Sequence, residues 1–523
     1  MRKNHRNRLI ILLLLCVAGF VSCHRSQPVK HPYADGLPRS APELQGVNSE
    51  GIIDFIEAIE ESGIELHSLM IMRHGKVITE GWWYPFRSSF NHLVHSVSKS
   101  FTSTAIGFAV QEGLLHVDDK VISFFPNDLP ESVSPELSRL TIQHLLTMSV
   151  GHEKEPAING NQENWAKCFL ATPIVNEPGE KFLYNSYATY MLSAILQKVT
   201  GENLLDFLTP RLFEPLGIKD IQWEKNWEGI NTGGWGLRVK TVDMTKLGLL
   251  YLQKGIWEGQ QLLSAEWIEE ASSIHVYQQP YLTEEQNRYN EWGQGYGYQL
   301  WRCTHNCYRF DGAFGQFIFI LPEQDAVITM TARSPNMYKQ MELVWKHLLS
   351  AMTDSPIPTN EMLSEVLNSK LASLRLPDPF RTDEELSLPK SENRIYTMQP
   401  NGLGIDQMKF AFDDKSNCTF TLTKGEKSYE LAFGQDAWMH GTTDKPSPYF
   451  SSDRRNPEGL FPLGYAGYNS FTEKDLFSLR LVYTTDFQNE TYLCRFSEGT
   501  VEVKISNSME ENKPPVVLTG RQQ

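Results

Sequence analysis

The sequence predicts an α+β fold: an antiparallel sheet flanked by helices with an inserted helical lobe, followed by a small all-β C-terminal domain. Three observations carry this. Strand-like runs before residue 85 and after residue 297 enclose a long stretch of mostly helical patterning. From about residue 392 the helical period gives way to short alternating strands such as Cys418-Thr-Phe-Thr-Leu-Thr423 and Phe477-Ser-Leu-Arg-Leu-Val-Tyr483, the mark of a barrel or sandwich. A chain of 523 residues with 41% hydrophobic and 11% aromatic content buries a sizeable core, and its length calls for more than one domain.

The elements follow in order. Residues 1–22 read as a signal peptide, because Arg2, Lys3, Arg6 and Arg8 precede the apolar run Leu9 to Val21, which is too short to span a bilayer. Val21-Ser22-Cys23 resembles a bacterial lipobox with Phe20 in place of the usual Leu, so Cys23 is expected to carry lipid and anchor the protein to the cell envelope. Residues 23–47, with Pro28, Pro32, Pro38 and Pro42, read as a tether. The net charge of −15 becomes −19 once the four leader cations are removed, which makes nucleic acid a poor partner and leaves membrane attachment to the lipid.

Residues 48–352 form the expected catalytic body. Ile52-Ile-x-Phe-Ile-x-x-Ile59 has helical spacing and ends at Gly63. Strands are expected at 66–73 and 77–84, joined at His74-Gly75-Lys76, and a helix from near Ser96 to Gly113. Helices at 189–199 and 241–254 stand out in the lobe; strands return at 298–301, 316–321 and 326–331, and a helix over 336–352 closes the body. Residues 353–391 read as a linker with a short helix reaching Leu374, and 392–523 as the all-β domain, which shows no catalytic constellation. Cys303-Thr-His-Asn-Cys307 is open to a disulfide across a tight turn or, with His305, to a weak metal site, and Cys418 with Cys494 to a second pairing. No metal or cofactor is expected in the chemistry.

A serine acts as a nucleophile when a base takes its proton, and a lysine one helical turn later serves if burial leaves it a neutral amine. Ser-x-x-Lys occurs twice. Ser387-Leu-Pro-Lys390 contains Pro389 in a charged linker and cannot present both side chains from a regular turn. Ser96-Val-Ser-Lys99 instead stands where a strand-like segment meets a helix of small and apolar residues, which leaves the Ser96 N–H free to help form an oxyanion hole. In isolation Lys99 reads as a solvated helix lysine and Tyr184 as a core aromatic; context raises both.

His95-Ser-Val-Ser-Lys-Ser-Phe-Thr-Ser-Thr-Ala-Ile-Gly107 resembles the nucleophile helix of serine hydrolases related to class C β-lactamases and D-alanyl-D-alanine carboxypeptidases. Four later segments agree in order: Leu140 to Gly151, Pro178-Gly-Glu-Lys-Phe-Leu-Tyr-Asn-Ser186, Gly233-Gly-Trp-Gly-Leu237 and Gly312-Ala-Phe-Gly-Gln316. The resemblance, over residues 48–352, implies a β-lactamase/transpeptidase-like fold and hydrolysis of an ester, amide or peptide through an acyl-enzyme. It implies Ser96 as nucleophile, Lys99 as base, Tyr184 as a phenol or phenolate that relays the proton, and the N–H groups of Ser96 and Ala313 as oxyanion donors. Ser186 stands where class C enzymes have Asn and is expected to hold substrate. Phe310-Asp311-Gly312 occupies the place of the Lys-Thr-Gly or His-x-Gly triplet, so Phe310 is expected to face the substrate in place of a cation, with Arg309 on the other face of its strand. The rival expectation is an envelope protein of the penicillin-recognising fold that only binds, as sensor or scaffold.

Overall fold

The structure is a computed structural model that describes residues 34–158, 164–377, 390–448, 461–473 and 476–523. The stretch read as a signal peptide and Cys23 lie outside these residues. Helix α1 (Ser49–Glu61) starts where the Asn48 side chain accepts the Glu50 N–H, and it buries Ile52, Ile53, Phe55, Ile56 and Ile59. Strands β1 (Glu65–Arg73) and β2 (Lys76–Trp82) form the expected hairpin, and His74 and Gly75 turn it with φ of 49° and 70°. Positive φ at both central residues suits the right-handed twist of a hairpin. Helices α2 (Ser98–Gln111), α3 (Ser186–Thr200) and α4 (Thr241–Leu252) follow, then β3 (Trp301–Arg302), β4 (Tyr308–Gly312), β5 (Gln316–Leu321) and β6 (Ala326–Arg333).

These strands make one antiparallel sheet in the order β2-β1-β6-β5-β4-β3. Both faces are covered, which is why β5 reads as a continuous apolar run. Ile318 and Ile320 pack toward α4 and the helical lobe, whereas Phe317 and Phe319 pack toward α1. Gly248 of α4 lets that helix approach closely, since a Cβ there would lie 2.7 Å from Ile318 and Val327. Helix α5 (Met337–Leu343) continues as a π-helical turn, Val344–Leu349.

Several expectations are corrected. The strand at 298–301 shrinks to Trp301–Arg302, because Gln299 adopts φ of 62° and spends its side chain on the Leu145 and Leu146 carbonyls. Within the stretch read as a tether, residues 35–40 lie against β2: Ser40 N–H donates to Val77 O at 3.0 Å, Val77 N–H to Pro38 O at 2.8 Å, and Arg39 pairs with Asp35 and Glu80. An open sheet edge invites such pairing. Inside the stretch read as a linker, α6 (Glu361–Ser373) docks on α1, with Lys370 at 2.9 Å from Glu60. Cys303, Cys307, Cys418 and Cys494 are free thiols: Cys307 donates to Thr304 O, and the Arg309 guanidinium donates to Cys303 Sγ at 3.2 Å. Among the described residues no group of three or more His, Cys, Asp or Glu is placed to hold a metal ion.

The C-terminal domain is a barrel of β7 (Glu392–Met398), β8 (Gln407–Phe412), β9 (Cys418–Lys424), β10 (Lys427–Gln435), β11 (Met439–Thr443), β12 (Leu463–Glu473), β13 (Leu476–Tyr483), β14 (Asn489–Ser497), β15 (Thr500–Asn507) and β16 (Val516–Gln522). Its neighbours run β10-β9-β8-β7-β16-β15-β14-β13-β12-β11, and a parallel pairing of β10 with β12 closes the ring. Phe410, Phe420, Phe477 and Phe496 fill its centre. Trp438, Ala466, Tyr468 and Val482 belong instead to the buried cluster that contains Trp83, Phe86 and α1, so the barrel shares a core with the first domain.

Candidate active site

The chain reaches the site through the two-residue strand His92–Leu93, a 3₁₀ turn over His95–Val97, and α2. Ser96 is half-buried at the head of that helix, and α2 is buried almost all round, which explains its small side chains: a Cβ on Gly107 would lie 2.5 Å from the Trp267 indole. Lys99, only 1% exposed, sits one turn on and shares a face with Ser96. Its Nζ donates to Ser96 Oγ at 3.1 Å, Ser186 Oγ at 3.2 Å and Gly234 O at 2.7 Å. The glycine at 234 is needed for this approach, since a Cβ there would lie 2.8 Å from Ser186 O and 3.3 Å from Lys99 Nζ.

Tyr184 and Ser186 flank the start of α3. Asn185 between them faces inward, its Oδ1 accepting the N–H groups of Tyr187 and Ala188 as helix cap. The Ser186 N–H donates to Glu155 Oε1 at 2.7 Å. The Tyr184 ring stacks on Trp301 at 5.7 Å and lies 4.8 Å from Lys99 Nζ. Burial pushes the Tyr184 phenol well above its ordinary range; the Ser96 hydroxyl pulls the other way, and the carboxylates of Asp311 and Glu155 add to the rise. Burial thus favours the protonated phenol over the phenolate.

The strand triplet is arranged differently from expectation. Phe310 does not face the site: its ring is 1% exposed and packs edge-on against Tyr251 of α4 at 4.9 Å, inside the core. Arg309 and Asp311 share the opposite face, where Arg309 is wholly buried between the Trp292 and Trp301 rings and pairs with Asp311 at 2.8 Å. Burial raises the Asp311 carboxyl, and the charges of Arg309 and Lys99 pull it down. Gly312 brings the strand end against the nucleophile segment, for a Cβ there would lie 2.4 Å from Val94 O. Ala313 follows at an exposed turn whose shape is held by Gln316, its Nε2 donating to Ala313 O and Ala332 O. Among the described residues, neither the Ser96 N–H nor the Ala313 N–H donates a hydrogen bond to a loop or turn acceptor.

The arrangement brings a hydroxyl, an amine and a phenol together at the head of α2, beside the strand end that Gly312 sets against the nucleophile turn. A family model described as Beta-lactamase matches residues 54–351, more than half of the chain. The chain belongs to the beta-lactamase family. Its relatives include an Escherichia coli K12 protein named as a candidate D-alanyl-D-alanine carboxypeptidase, 25% identical over 41% of this chain and 54% of that one. Another is the 6-aminohexanoate-dimer hydrolase of Paenarthrobacter ureafaciens, 23% identical over 54% of this chain and 76% of that one. The chain spans 64% and 54% of the lengths of the first curated relatives it matches. A solved Bacteroides dorei structure, described as a candidate beta-lactamase, superposes with a TM-score of 0.50 at 16% identity over 58% of this chain and 99% of that one. That likeness shows the β-lactamase fold, which in this family member is followed by the barrel.

Of the residues singled out in the sequence, Ser96, Lys99, Tyr184 and Ser186 lie in contact, Asp311 lies within reach of the Lys99 charge, Gly312 lies against Val94, and Ala313 follows Gly312 in the chain. Sequence reasoning missed Glu155, a loop carboxylate with no local pattern, and the Gly234 carbonyl, although Gly233-Gly234 was a visible signal for close backbone approach.

Proposed function

We propose that this protein is a serine hydrolase that cleaves an ester or amide through an acyl-enzyme on Ser96. The carrying observation is Lys99 Nζ, held by Gly234 O and Ser186 Oγ at 3.1 Å from Ser96 Oγ. In the reacting form Lys99 is a neutral amine that takes the Ser96 proton as Oγ bonds to the substrate carbonyl carbon. The resulting oxyanion is met by the N–H groups of Ser96 and Ala313. The C–O or C–N bond then breaks, the leaving group takes the Tyr184 proton, and Lys99 returns its proton to Tyr184. Water enters by the same route in reverse, releasing the acid and restoring Ser96.

Hydrolysis of amide bonds is supported by the names of the two relatives above. Neutral acyl donors are favoured over carboxylate-bearing ones, because Asp311 and Glu155 flank Tyr184 and the nearby cation, Arg309, is buried and already paired. For the same reason efficient β-lactam turnover is not expected. The rival reading, a protein that only binds, keeps the fold but not the activated serine. A fluorophosphonate probe separates the two: the wild type labels and the Ser96→Ala variant does not, while its melting temperature stays within a few degrees because one hydroxyl contributes about 1 kcal/mol. An unlabelled wild type, or turnover retained by Ser96→Ala, overturns the acyl-enzyme reading.

A further inference from the structure

Of the two oxyanion donors, Ser96 directly follows His95 and Ala313 directly precedes Phe314. Both neighbours hold left-handed backbone, with φ of 48° at His95 and 64° at Phe314, a conformation bulky side chains rarely adopt. Something must hold two such residues in place. Their rings lie 5.7 Å apart, and a third ring packs on both: Phe487 stacks on Phe314 at 4.2 Å with planes 21° apart, and meets His95 edge-on at 4.7 Å and 70°.

Phe487 comes from the barrel, in the loop joining β13 to β14, and is 1% exposed. That loop is itself anchored. The Leu93 N–H, three residues before Ser96, donates to Thr485 O at 3.1 Å; the Phe487 N–H donates to Asp486 Oδ1 at 2.8 Å; Tyr483 N–H donates to Gln488 O at 2.9 Å. The barrel therefore touches both backbone segments that carry oxyanion donors, the nucleophile turn through Thr485 and the strand turn through Phe487.

We propose that Phe487 is a positioning residue: the barrel supplies the ring that clamps His95 and Phe314 and so keeps the Ser96 and Ala313 N–H groups converged on one point. This rests on the acyl-enzyme reading above. Removing the ring lets either left-handed residue relax and the donors diverge. The loss falls on the transition state, where the oxyanion exists, and spares ground-state binding.

The test uses the full chain with Phe487→Ala, Phe487→Leu and Phe487→Tyr, assayed below each variant's melting temperature and normalised by fluorophosphonate titration of active sites. Phe487→Ala is expected to lower kcat about 10- to 100-fold with KM within twofold, and to weaken a boronic acid that forms a tetrahedral adduct by a similar factor. Phe487→Tyr, which restores the ring, should recover most of this, and Phe487→Leu, which restores only bulk, should recover less. Three results overturn the proposal: kcat per titrated site unchanged in Phe487→Ala, KM raised with kcat intact, or Leu serving as well as Tyr. If Phe487→Ala does not fold, the Leu and Tyr pair decides. Failure of the acyl-enzyme reading would appear separately, as activity surviving Ser96→Ala.

Discussion

On one side of Ser96, Lys99 is held by the hydrogen bonds it donates to three neighbours, Ser96, Ser186 and Gly234, all within the first domain. On the other side, the proposed oxyanion donors lie among features of shape: a glycine pressed on Val94 O, two non-glycine residues at positive φ, and three packed rings, one of them from another domain. The proposed proton-handling side is polar and local, with three hydrogen bonds fixing one amine. The oxyanion side depends on distant packing. Functional groups that move protons can be specified by spacing along one helix, whereas backbone donors, which every residue owns, are specified only by where the chain is forced to turn.

The largest expected effect lies on the polar side. Lys99→Arg keeps the charge but not the ability to accept the Ser96 proton, and turnover of a p-nitrophenyl ester should fall about 10³-fold. An active Lys99→Arg enzyme would move the base to Tyr184 and dissolve the contrast. Next comes Gly312→Ala on the oxyanion side. Its methyl group would lie 2.4 Å from Val94 O, so β4 must retreat from the nucleophile turn. A loss of about 10- to 100-fold in kcat with about 1–3 kcal/mol of stability is expected, read by kinetics and thermal melting. Wild-type turnover in that variant would mean that the strand end does not set the donor position.

The smallest effect on turnover concerns His152, which bonds Asn185 behind Tyr184 at 3.2 Å. Burial pushes its imidazole down to about 4, against a weaker upward pull from a backbone bond with Thr172. Its folded value is below its unfolded one, so this contribution is complete above about pH 6.5 and is lost as pH falls from there toward 4. Between pH 6.5 and 5 the loss is about 2 kcal/mol. His152→Gln should flatten the fall in melting temperature over that range while leaving the pH 7 rate close to wild type; an unchanged slope would show that other groups carry the acid sensitivity.

Much of this was legible in the chain. The α1 stripe, the His74-Gly75 hairpin and the runs of β5 and β6 carry strong periods, and Ser96 with Lys99 carries the one spacing that places a base beside a hydroxyl. Phe310 was misread for a physical reason. The motif set Phe310 in the place of a site-facing cation, but the apolar ring turns into the core against Tyr251, and Arg309, paired with Asp311, takes the opposite face. The docking of residues 35–40 was hidden because edge pairing uses backbone groups and leaves no side-chain pattern. Phe487 had no local signal at all: its partners, His95 and Phe314, are far away in sequence, and an aromatic in a hairpin loop looks the same whether it caps its own barrel or a neighbour's turn.

The common core beneath the two domains has a consequence for ancestry and redesign. Trp438, Ala466, Tyr468 and Val482 complete an apolar layer that Trp83 and Phe86 begin. A genetic exchange that joined this β-lactamase-family body to a foreign barrel would have to import a matching apolar face along with any useful loop, or leave bare hydrophobic surface on both halves. The join near residue 391 is thus a seam in the sequence only, and the two halves are constrained to drift together.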